Sequence, residues 1–331
     1  MRKVQLSFYI CKLSQENAPM TRILSLLLLV AFALPAEAQK YKKPEQYYRE
    51  FQSQNRKISR KNLIYLEAVL KDEDERKIAK YREMMVDQLK DSRQELSRIG
   101  DYDGYDILQR EYMTALDMYI DAFEKEFGVA EELTAKRYDS YEDLKAYFDA
   151  VTKAEGEMLD ASYKIEKAED HFAKMHFFTI ERDEEMDEQF RLLDEATLYT
   201  RDMTLSFFRV EQHSKRFLTA IKEDNTDSLS YILTDMQKDI RVSKQELAEY
   251  EEFEGNNSLI KYLNWYLDEM TIEAEENLRP LAEQLKNDYL DDKDYKKAQK
   301  ELEKFIARHN DNLEEFFAIK NDLILDYLPE D

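Results

Sequence analysis

A chain of 331 residues that is 43% apolar is long enough for two ordinary domains and too rich in apolar side chains to stay disordered. With only five glycines and five prolines it lacks the turns that β-sandwiches, barrels and doubly wound α/β folds require, which leaves long helices joined by few connections. Asp and Glu number 72 against 49 Lys and Arg, a net charge of −23, and such a surface repels nucleic-acid phosphates and anionic membrane surfaces.

In chain order, Met20-Thr21-Arg22 opens a short positive start, followed by the apolar run Ile23 to Leu34 and the small-x-small triplet Ala36-Glu37-Ala38. This pattern predicts a signal peptide over residues 1–38, with Met20 as the initiator and Gln39 as the mature N-terminus. The apolar run is shorter than the roughly 20 residues a spanning helix needs, and no later stretch approaches that length. Removing 1–38 takes away Arg2, Lys3, Lys12, Arg22, Glu16 and Glu37, so the mature chain carries 45 positive and 70 negative charges, a net of −25. The only cysteine, Cys11, precedes the apolar run. The mature chain is therefore expected to hold no disulfide, no thiolate metal site and no lipid-acceptor cysteine. It is expected in the periplasm, outside the cell or at its surface, without a lipid anchor.

The next elements read as helices. Phe51, Ile58, Tyr65 and Val69 share one face of the first, and Ile78, Tyr81, Met85, Leu89, Leu96 and Ile99 recur at helical spacings in the second. Between them, Lys71 to Asp74 supplies a turn and an N-cap carboxylate. Gly100 to Gly104 is the second connection, its glycines able to take positive φ. A third helix is predicted from about Tyr105 to Glu131, broken near Gly128. The fourth carries Tyr147, Val151, Ala154, Met158, Ala161, Ile165, Ala168, Phe172 and Met175 at alternating steps of four and three, a heptad seam starting from Tyr141.

The same pattern returns at an offset of 151. Ser92-Arg93-Gln94-Glu95-Leu96 matches Ser243-Lys244-Gln245-Glu246-Leu247, and Tyr102-Asp103-Gly104 matches Phe253-Glu254-Gly255. Tyr48 falls on Tyr199, Met85 on Met236, Asn62 on His213 and Leu116-Asp117 on Leu267-Asp268. After one inserted residue, Val129 to Leu133 matches Leu281 to Leu285, with Pro280 marking the break. Tyr295, Ala298, Leu302, Phe305, His309 and Phe316 echo the seam. The expected fold is all-α: two tandem homologous antiparallel four-helix bundles with coiled-coil-like packing, over residues 39–183 and 184–331.

Motifs for chemistry are sparse. No Glu-x-x-His pair precedes His171, His176, His213 or His309, which carry Ala168, Ala173, Val210 and Ile306 three residues upstream, so the di-iron signature of bundles is missing. His171 and His176 are five apart and face different sides of a helix. These histidines read as helix-surface or core-edge residues. Asp101 to Asp106 places glycine fourth, where a calcium loop needs it sixth, and Glu252, Glu254 and Gly255 repeat that acidic turn. Asn256-Asn257-Ser258 is a glycosylation-type triplet. Tyr41, Tyr47 and Tyr48 crowd the mature N-terminus, as core filling or as an exposed aromatic patch. No catalytic, cofactor-binding or metal-ligating residue is assigned.

The signal peptide, the cysteine-free mature chain, the duplicated long helices and the run Asp292-Lys293-Asp294-Tyr295 with Phe305 and Phe316 resemble the ErpY-like family of bacterial surface proteins. The resemblance covers most of 41–326 and departs in lacking the lipid-acceptor cysteine of many surface members. It implies an exported adhesin-like or envelope protein with no catalytic residues. The expected function is therefore non-enzymatic: an envelope or surface protein that binds an unknown protein or envelope macromolecule, without nucleic acid and without a cofactor. The alternatives are a ligand- or metal-binding extracytoplasmic bundle, or an accessory or sensor component of an envelope complex.

Overall fold

Helix dominates the computed structural model, which describes residues 41–71, 73–182, 184–286 and 291–329. The expected signal peptide, its cleavage point, the Met20 start and Cys11 lie outside the described residues. Among those residues the fold is all-α, with no strand and only two isolated antiparallel bridges. The helices are α1 (Pro44–Leu70), α2 (Glu75–Ser97), α3 (Ile107–Asp121), α4 (Phe127–Thr134), α5 (Tyr141–Met175), α6 (Glu184–Lys222), α7 (Leu229–Leu247), α8 (Ser258–Ile272), α9 (Arg279–Leu285) and α10 (Asp292–Leu325). No described helix is long and apolar enough to cross a membrane.

Local sequence explains where these helices start and stop. Pro44 opens α1, where a missing N–H costs nothing. The Asp74 side chain accepts from the Arg76 N–H at 3.0 Å and caps α2. Between α2 and α3, Asp103 (φ 54) and Gly104 (φ 77) take left-handed backbone while Tyr102 and Tyr105 exchange backbone hydrogen bonds of 3.1 and 2.9 Å. Positive φ at both central residues is the type I′ turn of a minimal hairpin. Glu254 (φ 47) and Gly255 (φ 82) rebuild it between Phe253 and Asn256, at the same offset of 151.

The offset holds for whole elements. Adding 151 to the bounds of α3 gives the bounds of α8, and adding it to the start of α5 gives the start of α10. Where the sequence alignment needs one inserted residue, the helix widens into a π turn. The turn is five residues long after α3 (Ala122–Glu126) and six after α8 (Glu273–Leu278). The extra residue of the second copy is thus absorbed in the wider turn, the usual way a helix takes up an insertion. Pro280, the second residue of α9, has no N–H to donate to the turn before it.

The described residues form two compact units, one within 41–125 and 154–191, the other within 126–153 and 192–329. The boundary expected after residue 183 falls inside the stretch 154–191 of the first unit. In that unit α1 packs on α2 and α2 on α3. Tyr47, Phe51, Met85, Leu89, Leu108, Tyr112, Leu116, Phe123 and Phe172 fill the core, together with the α5 seam from Ala154 onward. The seam stays buried to Phe172 and then surfaces, leaving Met175 exposed. In the second unit α7 packs on α8 and α8 on α10. Phe207 of α6 lies between Tyr266 and Phe316, stacked on Phe316 with centroids 4.0 Å apart. Tyr295, expected to open the second seam, is exposed; burial begins at Ala298.

Candidate functional site: buried polar chains and an exposed aromatic connector

The first unit buries a carboxylate. Glu169 stands four residues after Ile165 and three before Phe172, which turns it inward on α5, where it is 1% exposed. The Tyr112 hydroxyl from α3 donates to its Oε1. Asn55 Nδ2 from α1 donates to the Tyr112 hydroxyl at 2.8 Å. Burial pushes the Glu169 carboxyl up to about 7; hydrogen bonds from Tyr112 and Tyr48 and the charge of Arg182 work against that rise. The same burial, with the carboxylate beside it, pushes the Tyr112 phenol well above its usual range. A second chain links α2 to α1: Gln88 Nε2 donates to Ser92 Oγ at 3.0 Å, Ser92 donates to Gln54 Oε1 at 3.0 Å, and Gln54 Nε2 donates to the Glu95 carboxylate at 2.7 Å.

At one end of this unit three tyrosines that could have formed an exposed patch are core. Tyr41, Tyr47 and Tyr48 are all buried. The Tyr47 hydroxyl donates to the Gly100 carbonyl at 2.9 Å, and its ring meets Tyr41, Phe51, Tyr102 and Phe172. His176 sits edge-on to Tyr102 and Tyr105, and burial lowers its pKa.

The second unit carries a different chain. Glu211 of α6 follows Phe207 by four residues and is 2% exposed. It accepts from the Tyr266 hydroxyl at 2.6 Å and pairs with His309 Nδ1. His213, at a seam-like position equivalent to Asn62, lies in the core at 2% exposure. Its Nδ1 accepts from Arg216 at 3.2 Å and its Nε2 donates to Asp239 at 2.8 Å, an arrangement that selects the neutral Nε2–H tautomer. Burial, the main influence on this imidazole, lowers its pKa. Asn62, its counterpart at the offset of 151, is equally buried in the first unit. At the π turn, Arg308 donates to Glu273 at 2.6 Å and Asn277 donates at 2.8 Å.

The acidic turns are built from their own backbone. Asp101 accepts from the Gly104 N–H at 2.9 Å, and Asn256 accepts from the Ser258 N–H at 3.0 Å and the Ser258 hydroxyl at 2.6 Å. Among the described residues no three His, Cys, Asp or Glu side chains are grouped to hold a metal ion.

The connector after α5 presents the opposite of a buried site. Phe178 N–H bonds back to the Ala173 carbonyl at 3.1 Å, closing the helix with Phe177 at φ 58. That left-handed position usually falls to glycine. The Phe177 ring is 96% exposed, while Phe178 turns back onto Tyr48 and Phe172.

Composition and periodicity announced helices and the repeat. They did not single out Glu169, Glu211 or Phe177. The buried glutamates had a signal, since each lies a helical turn from a core residue, but they sit in sequences dense with solvated acids. Compared with known family models, curated proteins and solved structures, the chain matches none.

Proposed function

We propose that the chain is an exported, non-enzymatic protein of the cell envelope or surface, built of two homologous helical bundles, that binds another macromolecule through its helical exterior. The observation that carries this reading is Phe177. A bulky residue in left-handed backbone costs about 1 kcal/mol relative to glycine, and a ring left 96% in solvent returns nothing within the chain. Strain and exposure together mark a side chain held out for a contact. The buried polar groups support the same reading: in the first unit Tyr112 donates to Glu169, and in the second Tyr266 donates to Glu211, which pairs with His309. The apolar leader over Ile23 to Leu34 supports export, and the resemblance to the ErpY-like surface proteins supports the envelope.

The test is a crosslinking pull-down from the native envelope with the wild-type chain and Phe177→Gly. The expected result is one macromolecular adduct that the variant loses while its thermal midpoint rises. Retention of the adduct by a more stable Phe177→Gly, or turnover of a substrate by the purified chain, would overturn the reading. A second reading, an extracytoplasmic bundle that holds a ligand or metal or serves as an accessory or sensor, draws on the Tyr266–Glu211–His309 chain. Stoichiometric metal or a small ligand in the native protein would favour it.

A further inference from the structure

The start of α5 and the start of α10 are one element in the two copies. Their cap residues, Ser140 and Asp291, and their first residues, Tyr141 and Asp292, both stand 151 apart. Ser140 Oγ accepts from the Asp143 N–H at 3.1 Å, and Asp291 accepts from the Lys293 and Asp294 N–H groups at 3.0 and 2.7 Å. Their surroundings differ. The start of α5 belongs to the second unit and lies on α6 there. The Tyr138 ring packs on Phe208 with centroids 5.7 Å apart, and Arg209 donates to the Tyr141 hydroxyl at 2.7 Å. The Tyr141 N–H donates to Gln212 at 3.1 Å, and Lys215 donates to Asp139 at 3.1 Å. Leu144, one turn on, is fully buried. Its counterpart in α10, Tyr295, is 60% exposed, and the stretch from Asp291 to Lys297 is exposed throughout.

The matching face is open on α1, the first-copy counterpart of α6. The α6 residues that meet the start of α5, Phe208, Gln212 and Lys215, fall on Lys57, Lys61 and Ile64 at the offset of 151. Phe208 is buried, whereas Lys57 is exposed and Lys61 and Ile64 are half-buried. The Lys57 ammonium lies 3.5 Å from Glu95 of α2, in an exposed pair. Steps of four and three put Lys57, Lys61 and Ile64 on one face. On α10, Asp291 and Asp292 stand one turn before Tyr295 on its own face, while Lys293, Lys296 and Lys297 are one or two residues off it. A basic strip with an apolar end on α1 therefore complements an acidic strip with an apolar end on α10.

We propose that the Tyr295 face of α10 receives the Lys57, Lys61 and Ile64 face of α1 from a second copy of this chain, repeating between molecules the contact that α5 makes with α6 inside the second unit. In repeat proteins each copy covers a face of its neighbour, and α5 on α6 shows what covers this one. The contact is head-to-tail, so it joins two unlike faces and extends to further copies unless the rotation closes a ring. It lies away in sequence from Phe177 and goes beyond the macromolecular partner proposed above; either can fail without the other.

The test is sedimentation velocity of the full chain over a range of concentrations, for the wild type, Asp292→Lys, Lys61→Glu and an equimolar mixture of the two variants. The expected result is a wild-type mass that rises with concentration to two copies or more. Each variant alone should stay a single copy, because like charges then meet across the contact. The mixture should associate as the wild type does, since each α10 then finds an α1 of opposite charge. A wild type that stays a single copy throughout, a variant that associates as the wild type does, or a mixture that fails to associate would overturn the proposal. Carbodiimide crosslinking of isotope-labelled with unlabelled wild type decides the matter even if a variant fails to fold. It should join Asp291 or Asp292 of one copy to Lys57 or Lys61 of another, and associated copies without that crosslink would also overturn the proposal.

Discussion

Glu169 places a stability cost inside the first unit, and its sign can be worked out. Burial raises its pKa from 4.5 in the unfolded chain to about 7 in the folded one. The folded state keeps the proton through a window in which the unfolded chain has already lost it. Stability therefore falls as pH rises from 4.5 through 7, by about 3 kcal/mol in all, and changes no further from this group above that. Glu169→Gln keeps the shape and cannot ionise. Urea unfolding below pH 4.5 and above pH 7 should show the variant gaining on the wild type at the higher pH by up to that amount. Equal pH dependence in the two proteins would mean that the carboxyl is not held as described. Single residues also mark what sequence reading missed. Glu169 and Glu211 lie at helical spacing from Phe172 and Phe207, yet acidic residues are so frequent in this chain that spacing alone singles out no one of them. Phe177 could not be found at all from the sequence, because nothing in His176-Phe177-Phe178 says which of two phenylalanines folds inward.

Helices were the most legible level, because periodicity reports burial directly. The Ile78 to Leu96 spacing, the seam from Val151 to Phe172 and the Asp74 cap all correspond to observed features. The alignment gap after α3 foretold a local irregularity but not its form, because the hydrogen-bond register that makes a π turn is not encoded in composition. Seam ends were the least legible. Met175 and Tyr295 keep the spacing but are exposed. In the second unit, α6, α8 and α10 meet at Phe207, Tyr266 and Phe316, all buried. Truncating Phe316 to Ala removes the stacked partner of Phe207 and opens a cavity among three helices. Thermal and urea unfolding should then report a loss of about 3–5 kcal/mol. A loss below about 1 kcal/mol would mean that the neighbouring rings close the space.

For the whole chain, charge and segment order carry the account further than any single site. A net charge of −23 discourages nucleic-acid and anionic-lipid partners, and the large acidic excess suits a basic or neutral one. The repeat at one offset and the leader-like run from Ile23 to Leu34 are the sequence features behind the proposal that the chain acts outside the cytoplasm. Export is the premise on which an envelope partner depends. The most direct measurement is therefore the N-terminal mass of the native chain in fractionated cells. The account predicts a chain beginning at Gln39 in the exported fraction; a chain that keeps residues 20–38 and remains in the cytoplasm would contradict it.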